Sequence, residues 1–326
     1  MTAGCIVCGT ESEKVVSHAD RHGRALVTVL CKGCGVLHND PIPSESELEA
    51  FYRRDYRQDY KGAAEPRLRQ VWRNLNRLQS HFLTFQDVYA KGGRWLDLGA
   101  GSGEFSFLAR QIGADVAAVE PNEAYAAYCR TKLDLDIRTA RLEDCDFQPG
   151  SFDMIRLSHV LEHMRDPVAS LSTLRDWLAP GGVIYIEVPD IERDAANKLR
   201  GRLFHYGHIY NFNPVTLRQV AAQAGLVELP QTRDRSAATC GAFFTAGEGG
   251  QVGAETLSQN AARMAAAMEG HYSRRLPLPD EGSALSRLFR TLGARAKEAY
   301  AGRRFNDHRR IAEDAARRLR MAMRQN

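Results

Sequence analysis

Several features that would define a class of protein are missing from this sequence. No apolar run approaches the roughly 20 residues needed to cross a membrane. The opening "MTAGCIVCGT" has no basic region followed by an apolar stretch, so no secretory signal is expected and the expected compartment is cytoplasmic. No internal repeat is evident. Residues 1–40 are poor in large aliphatics, so that stretch cannot build a core of its own size. Acidic charge is scarce at one end: Leu285 to Asn326 holds twelve Lys/Arg against four Asp/Glu. That balance of +8, set against a net +4, leaves −4 for the other 284 residues. A basic tail of this kind can touch nucleic acid, an anionic substrate or a partner chain, or can simply be a solvated helix face.

What is present has a clear rhythm. With 326 residues, 44% of them hydrophobic, the chain can form two domains or one domain with appendages. "PIPSESELEAFY" has a proline-bounded turn, and Ser44 and Glu47 stand at the spacing of a capping box. From Leu68 to Tyr89, apolar residues recur at three- and four-residue steps, the pattern of an amphipathic helix. From Gly93 onward short apolar strands alternate with helical patterns: "RWLDLG", "DVAAVE", "SFDMIRLS" and "VIYIEVP" are the strong strands. "LVELPQTRDRS" and "TCGAFFTA" form a closing strand pair, and the chain is helical from about Glu255. The alternation predicts an α/β fold, a doubly wound sheet with helices on both faces. Four segments are expected: 1–40, 41–90 as a helical linker, 91–248 as the α/β domain, and 249–326 as a basic helical extension.

"WLDLGAGSGEF" places Asp97, Gly99, Ala100, Gly101 and Gly103 where a strand ends and a helix begins. Glycines there let a ligand approach the backbone, and the helix start offers unpaired N–H groups. The spacing is D-x-G-x-G-x-G, and the next strand ends in "VEP", with Glu120 and Pro121 at its tip. A Pro-Gly-Gly turn then feeds a later strand in "LAPGGVIYIEV". Over roughly residues 91–246 this combination resembles the class I S-adenosylmethionine-dependent methyltransferases, with their Rossmann-like sheet.

The resemblance implies S-adenosylmethionine as cofactor and assigns positions to it. Gly99, Gly101 and Gly103 match the loop under the methionine part, Asp97 the acid near its amino group, and Glu120 the acid that accepts both ribose hydroxyls. Arg141, Leu142 and Glu143 of "ARLEDCDF" match the segment flanking adenine; Arg141 stands where the family often has Asp. "LSHVLEHMRDP" places Ser158 and His159 beside the sulfonium, with Glu162 and His163 starting the next helix near the substrate. The phrase H-V-L-E-H is frequent among small-molecule members, and the N-P-P-Y type signature of many base-nitrogen methyltransferases is missing.

The cysteines form a second signal. Cys5, Cys8, Cys31 and Cys34 lie in a C-x2-C-x22-C-x2-C spacing, each pair followed by glycine. Four thiolates in this pattern predict a structural zinc ribbon, since tetrahedral zinc folds peptides too small for their own core. A ribbon ahead of a methyltransferase domain resembles bacterial methyltransferases with an N-terminal zinc-binding domain, which include deoxysugar C-methyltransferases. Those carry a Y-H-E-H-x-x-Y-F segment. The counterpart here is "HYGHIYNF", with His208 at the second histidine, Gly207 at the glutamate and Tyr206 at the first histidine.

In an extended chain Phe204, Tyr206, His208, Tyr210 and Phe212 would share one face, a ring-lined surface suited to a sugar. These readings predict O-methylation of a small-molecule or glycan hydroxyl. His208 would be the general base and His163 the reserve base, with Tyr206, Tyr210 and His205 orienting the acceptor. Sugar C-methylation and RNA methylation are the alternatives. Against RNA, the ribbon is not strongly basic. The extension is expected to mediate oligomerisation or an anionic contact, outside the catalytic core.

Overall fold

The computed structural model describes residues 4–54, 65–233, 239–273 and 307–324. In chain order the strands are β1 (Glu13–Ala19), β2 (Ala25–Cys31), β3 (Leu37–Asn39), β4 (Arg94–Leu98), β5 (Asp115–Val119) and β6 (Ile137–Arg138), then β7 (Phe152–Ser158), β8 (Leu178–Pro189), β9 (Tyr210–Asn211), β10 (Leu226–Glu228) and β11 (Thr239–Ala246). They form two sheets. Seven strands run in the order β10-β11-β8-β7-β4-β5-β6. β4, β5 and β6 pair in parallel, while β11 runs antiparallel to both β8 and β10. Strand order reverses between β4 and β7, the place where open α/β sheets bind ligands at their carboxyl ends. This is the expected doubly wound, Rossmann-like architecture, and β10–β11 is the expected closing pair.

Local chemistry explains the elements. In β4, Trp95, Leu96, Asp97 and Leu98 are all buried, as in a strand covered on both faces. Asn122 caps the helix Glu123–Leu133 by accepting from the Tyr125 amide. Asn213 and Thr216 cap Pro214–Gln223 reciprocally, with Pro214 in the first turn. The expected capping box at Ser44 is formed: its amide donates to Glu47 Oε2 at 2.8 Å, and its hydroxyl accepts from the Glu47 amide.

The chain divides into two compact units. One comprises residues 1–62, 157–176 and 183–280. Its four-stranded sheet has the order β1-β2-β3-β9, so "YN" of the aromatic segment closes the cysteine-bearing sheet. Its core includes Leu26, Leu30, Leu37, Phe204 and Met264. The helix Ala254–Ser273 belongs to this unit, and Asn260 Nδ2 donates to the Cys34 carbonyl at 2.8 Å.

The second unit comprises residues 63–156, 177–182 and 281–326. Phe82, Tyr89, Trp95 and Phe105 form an aromatic cluster in its core. The C-terminal helix His308–Met323 corrects the expectation that the tail lies outside the catalytic core. It buries Ile311, Ala312, Ala315, Ala316 and Leu319 and packs on the helix Leu68–Thr84. Gln79 Nε2 donates to the Ala315 carbonyl at 2.6 Å. Several of its arginines are paired within the helix: Arg309 with Glu313, and Arg317 and Arg318 with Asp314. The stretch 285–306 lies outside the described residues.

Candidate active site and cysteine centre

In the second unit the glycine loop follows β4 and the acid Glu120 follows β5. Gly99, Gly101 and Gly103 all adopt left-handed φ values, at 72°, 56° and 75°. A Cβ on Gly101 would meet nothing within 4 Å, so that residue faces open space. A Cβ on Gly103 would meet Cys129 Sγ and Leu135 Cδ1 at 2.8 Å, so close packing demands glycine there. Glu120 is buried and closes the loop onto β5. One carboxylate oxygen accepts the Gly101 amide at 2.8 Å and the other the Asn122 amide at 2.9 Å. Burial pushes its pKa above the ordinary carboxylate value; the two amides counter this in part, and the nearby Asp97 charge adds to it. Each oxygen keeps a further lone pair.

Asp97 is fully buried. It accepts from Ser106 Oγ at 2.6 Å and Arg156 Nη1 at 2.9 Å, and that guanidinium also stacks 4.5 Å over Phe105. Its carboxylate is therefore engaged by side chains that the sequence did not single out. Arg141, Leu142 and Glu143 stand at a 3-10 turn over Leu142–Asp144. Only Leu142 is buried, and the Arg141 and Glu143 side chains are exposed.

In the first unit Ser158 ends β7, and His159 follows with φ 58°, rare for a side-chain-bearing residue and a mark of functional loops. The His159 amide donates to the Glu187 carbonyl at 2.8 Å. The Glu187 carboxylate accepts from Ser158 Oγ at 2.9 Å and Tyr185 Oη at 3.1 Å. His159 Nδ1 lies 3.5 Å from Glu162 Oε1 and Nε2 lies 3.7 Å from Glu187 Oε1. Residues Leu161–His163 form a 3-10 turn and the following helix starts at Pro167, so Glu162 and His163 do not open that helix as expected.

The aromatic segment also departs from expectation. The His208 amide donates to the His205 carbonyl at 3.0 Å, a turn centred on Tyr206 and Gly207, and only Tyr210–Asn211 is strand. A continuous ring-lined face is therefore not formed. Phe204 and Phe212 are core residues, and Tyr210 is buried with its hydroxyl donating to the Arg165 carbonyl at 3.3 Å. Tyr206 packs on Phe51 with ring centres 5.1 Å apart. A Cβ on Gly207 would meet Phe51 Cε1 at 3.1 Å and His205 Cε1 at 3.2 Å, which leaves little room for a larger residue.

The turn instead gathers histidines. The His208 ring stands edge-on to His163 at 4.9 Å and to His205 at 5.3 Å. His163 Nδ1 bonds the Gly207 carbonyl at 2.6 Å. His205 Nδ1 accepts the Gly207 amide at 3.2 Å, which leaves its proton on Nε2. Burial, reinforced by His163, His205 and Arg21, holds the His208 pKa well below the usual imidazole value. Beneath this group Glu162 is 1% exposed. The sequence placed this residue near the substrate through its position in H-V-L-E-H but assigned its carboxylate no role.

The four N-terminal cysteines also converge. All are free thiols. Cys5 Sγ lies 3.7 Å from Cys34 Sγ and Cys8 Sγ lies 3.5 Å from Cys31 Sγ, with all four sulfurs within 4.8 Å of one another. Tetrahedral zinc with bonds of about 2.3 Å sets sulfurs roughly 3.8 Å apart, so the arrangement fits that ion. The amides of Gly9 and Gly35 donate to the carbonyls of Cys5 and Cys31, turning the chain under each pair.

Residues 69–230 match the family described as "Methyltransferase domain". Among curated proteins the chain is similar to a ubiquinone biosynthesis O-methyltransferase of Xanthomonas campestris, 33% identical over 105 residues, covering 30% of this chain and 44% of that one. A ubiquinone biosynthesis O-methyltransferase of Cereibacter sphaeroides is 33% identical over 99 residues, covering 29% and 40%. The chain thus spans less than half the length of these relatives. Among solved structures it is similar to a 1,6-didemethyltoxoflavin-N1-methyltransferase of Burkholderia thailandensis, at 18% identity and a TM-score of 0.46, covering 69% of this chain and 96% of that one. The family match over residues 69–230, the strand order and the glycine loop together support a class I S-adenosylmethionine-dependent methyltransferase domain.

Proposed function

We propose that the chain transfers the methyl group of S-adenosylmethionine to a hydroxyl of a small polar acceptor, a sugar or glycan. The observation that carries this reading is the cluster of His163, His205 and His208 in loops that follow β7 and β8, the carboxyl ends where this fold does its chemistry. A hydroxyl is a weak nucleophile, and a positioned imidazole contributes roughly 10²–10⁴-fold by taking its proton. His208 is the proposed base and His163 the reserve, with His205, Tyr206 and Tyr210 shaping the turn that carries them. The activity for which the curated relatives are named, O-methylation, favours oxygen as the methylated atom. The tight space at Gly207, where the sugar C-methyltransferases have glutamate, supports the same choice.

For the cofactor we propose the open side of Gly101 for the methionine part, Glu120 with Pro121 for the ribose, and the Arg141–Glu143 turn, through Leu142, for adenine. Ser158 and His159 are the proposed neighbours of the sulfonium. Asp97 acts through the loop it braces, because its oxygens are already engaged by Ser106 and Arg156. When bound, the cofactor supplies the electrophilic methyl; in-line alignment of nucleophile, carbon and sulfur supplies much of the rate. A structural zinc held by Cys5, Cys8, Cys31 and Cys34 completes the proposal. The paired arginines of the last helix support a structural role for that segment over nucleic-acid docking.

The test is a transfer assay with labelled cofactor against sugar nucleotides, glycans, phenols and RNA. Label on a sugar hydroxyl, with kcat lowered at least about a hundredfold by His208→Asn at unchanged cofactor affinity, is the expected result. Label on RNA, or on carbon, overturns it.

A further inference from the structure

The geometry points to a second metal site, distinct from the cysteine centre, in which Glu162, His163 and His208 bind a divalent first-row cation. Ligand atoms from these three side chains all lie within 4.8 Å of one another. The proposal deepens the preceding reading, since the same histidines are expected to receive the acceptor hydroxyl.

Two observations demand a positive charge here. Glu162 is 1% exposed, and among the described residues neither carboxylate oxygen has a hydrogen-bond partner. A buried carboxylate left in this state is costly unless something cationic completes it. Two basic nitrogens of the described residues stand beside it, His159 Nδ1 at 3.5 Å and His163 Nε2 at 3.9 Å, the second too far to be a hydrogen bond.

The tautomer of His163 sharpens the point. Its Nδ1 faces the Gly207 carbonyl at 2.6 Å, and a carbonyl only accepts, so Nδ1 carries the hydrogen. In the neutral ring Nε2 then presents a lone pair toward a carboxylate oxygen. Two lone pairs facing each other across 3.9 Å leave room for an ion that bonds to both, at about 2.0–2.2 Å each. A backbone carbonyl holding the far nitrogen of a ligating histidine is the usual outer-shell partner of such sites. His208, edge-on to His163, supplies the third donor. Two imidazoles and one carboxylate suit manganese, iron, cobalt, nickel or zinc better than magnesium, and leave open positions for an acceptor oxygen.

An ion in the site makes His208 a ligand, and a site that stays empty leaves it a base; the following experiment separates the two. Zinc-loaded full-length protein is titrated with MnCl2, followed by the loss of the free-ion paramagnetic resonance signal and by calorimetry. Manganese is chosen because hard nitrogen and oxygen donors hold it and thiolates do not. The expected result is one Mn²⁺ per chain, bound at least tenfold more weakly by Glu162→Gln and by His208→Asn. The thermal transition of the wild type should rise with added Mn²⁺, and that of Glu162→Gln should not. Without metal, Glu162→Gln should be as stable as the wild type or more so, because it replaces a buried carboxylate that has no hydrogen-bond partner among the described residues. No binding of Mn²⁺, or of a second equivalent of Zn²⁺ or Co²⁺, overturns the site, and so does undiminished binding by Glu162→Gln. Full transfer activity in protein shown to have the site empty also overturns it while leaving His208 as base. Failure to bind S-adenosylmethionine would sink the methyl-transfer reading without touching the metal titration.

Discussion

Replacing Glu120 by Gln tests the proposed ribose acceptor and the glycine loop together. The carboxylate accepts two backbone amides, from Gly101 and Asn122, one on each oxygen. Glutamine offers one oxygen and one NH₂, so one of those amides must face another donor. An unsatisfied buried donor costs about 1–3 kcal/mol, which is the expected loss of stability. The relieved cost of burying a charge places the value toward the lower end. Binding should suffer separately. A hydrogen bond to a charged group is worth about 1.5–3 kcal/mol, so losing one of two ribose contacts weakens S-adenosylmethionine roughly 10- to 150-fold.

The pH dependence has a definite sign. Burial raises the Glu120 pKa, so the folded free chain keeps this proton to a higher pH than the unfolded chain does. The associated stability is present at low pH and is lost as pH rises through the folded value. The cofactor needs the ionised form as acceptor. Its affinity should therefore fall as pH is lowered, starting above the ordinary carboxylate range, and Glu120→Gln should be flat over that window. Calorimetry and denaturant unfolding provide the assay. Affinity within threefold of the wild type, with stability reduced, would mean that Glu120 braces the loop but does not hold the ribose. Unchanged values for both would refute the geometry itself.

Elemental analysis of purified chain should find one tightly held zinc at the cysteine centre; Cys8→Ser should lose it, and a Cys5–Cys8 disulfide would count against the site. Gly103→Ala should destabilise by about 2–4 kcal/mol in denaturant unfolding, because its φ of 75° disfavours a side chain and its Cβ meets Cys129 and Leu135. Leu319→Ala should cost about 2–5 kcal/mol by the same assay. Truncation before Asp307 should leave the helix Leu68–Thr84 uncovered and the chain prone to aggregation; a truncated chain of normal stability would contradict the packing described.

Short-range patterns in the sequence determined the doubly wound sheet, the glycine loop and the cysteine quartet. Each rests on neighbours a few residues apart: strand and helix periods, left-handed turns at Gly99, Gly101 and Gly103, and paired thiols three positions apart. Tertiary structure alone decided what those elements meet. Nothing local says that Asp97 is taken by Arg156, 59 positions away, or that Gly207 accepts from His163 across 44. The alternation of rings in "FHYGHIYNF" would give one ring-lined face in an extended chain, but the turn at Tyr206 and Gly207 breaks the period and sends Tyr210–Asn211 to pair with β3. The basic tail was read from its charge, whereas its apolar stripe Ile311, Ala312, Ala315 and Leu319 decided where it went. Glu162 stood in the quoted motif throughout. Only its burial without a hydrogen-bond partner among the described residues, a property of its surroundings and not of its neighbours in sequence, set it apart.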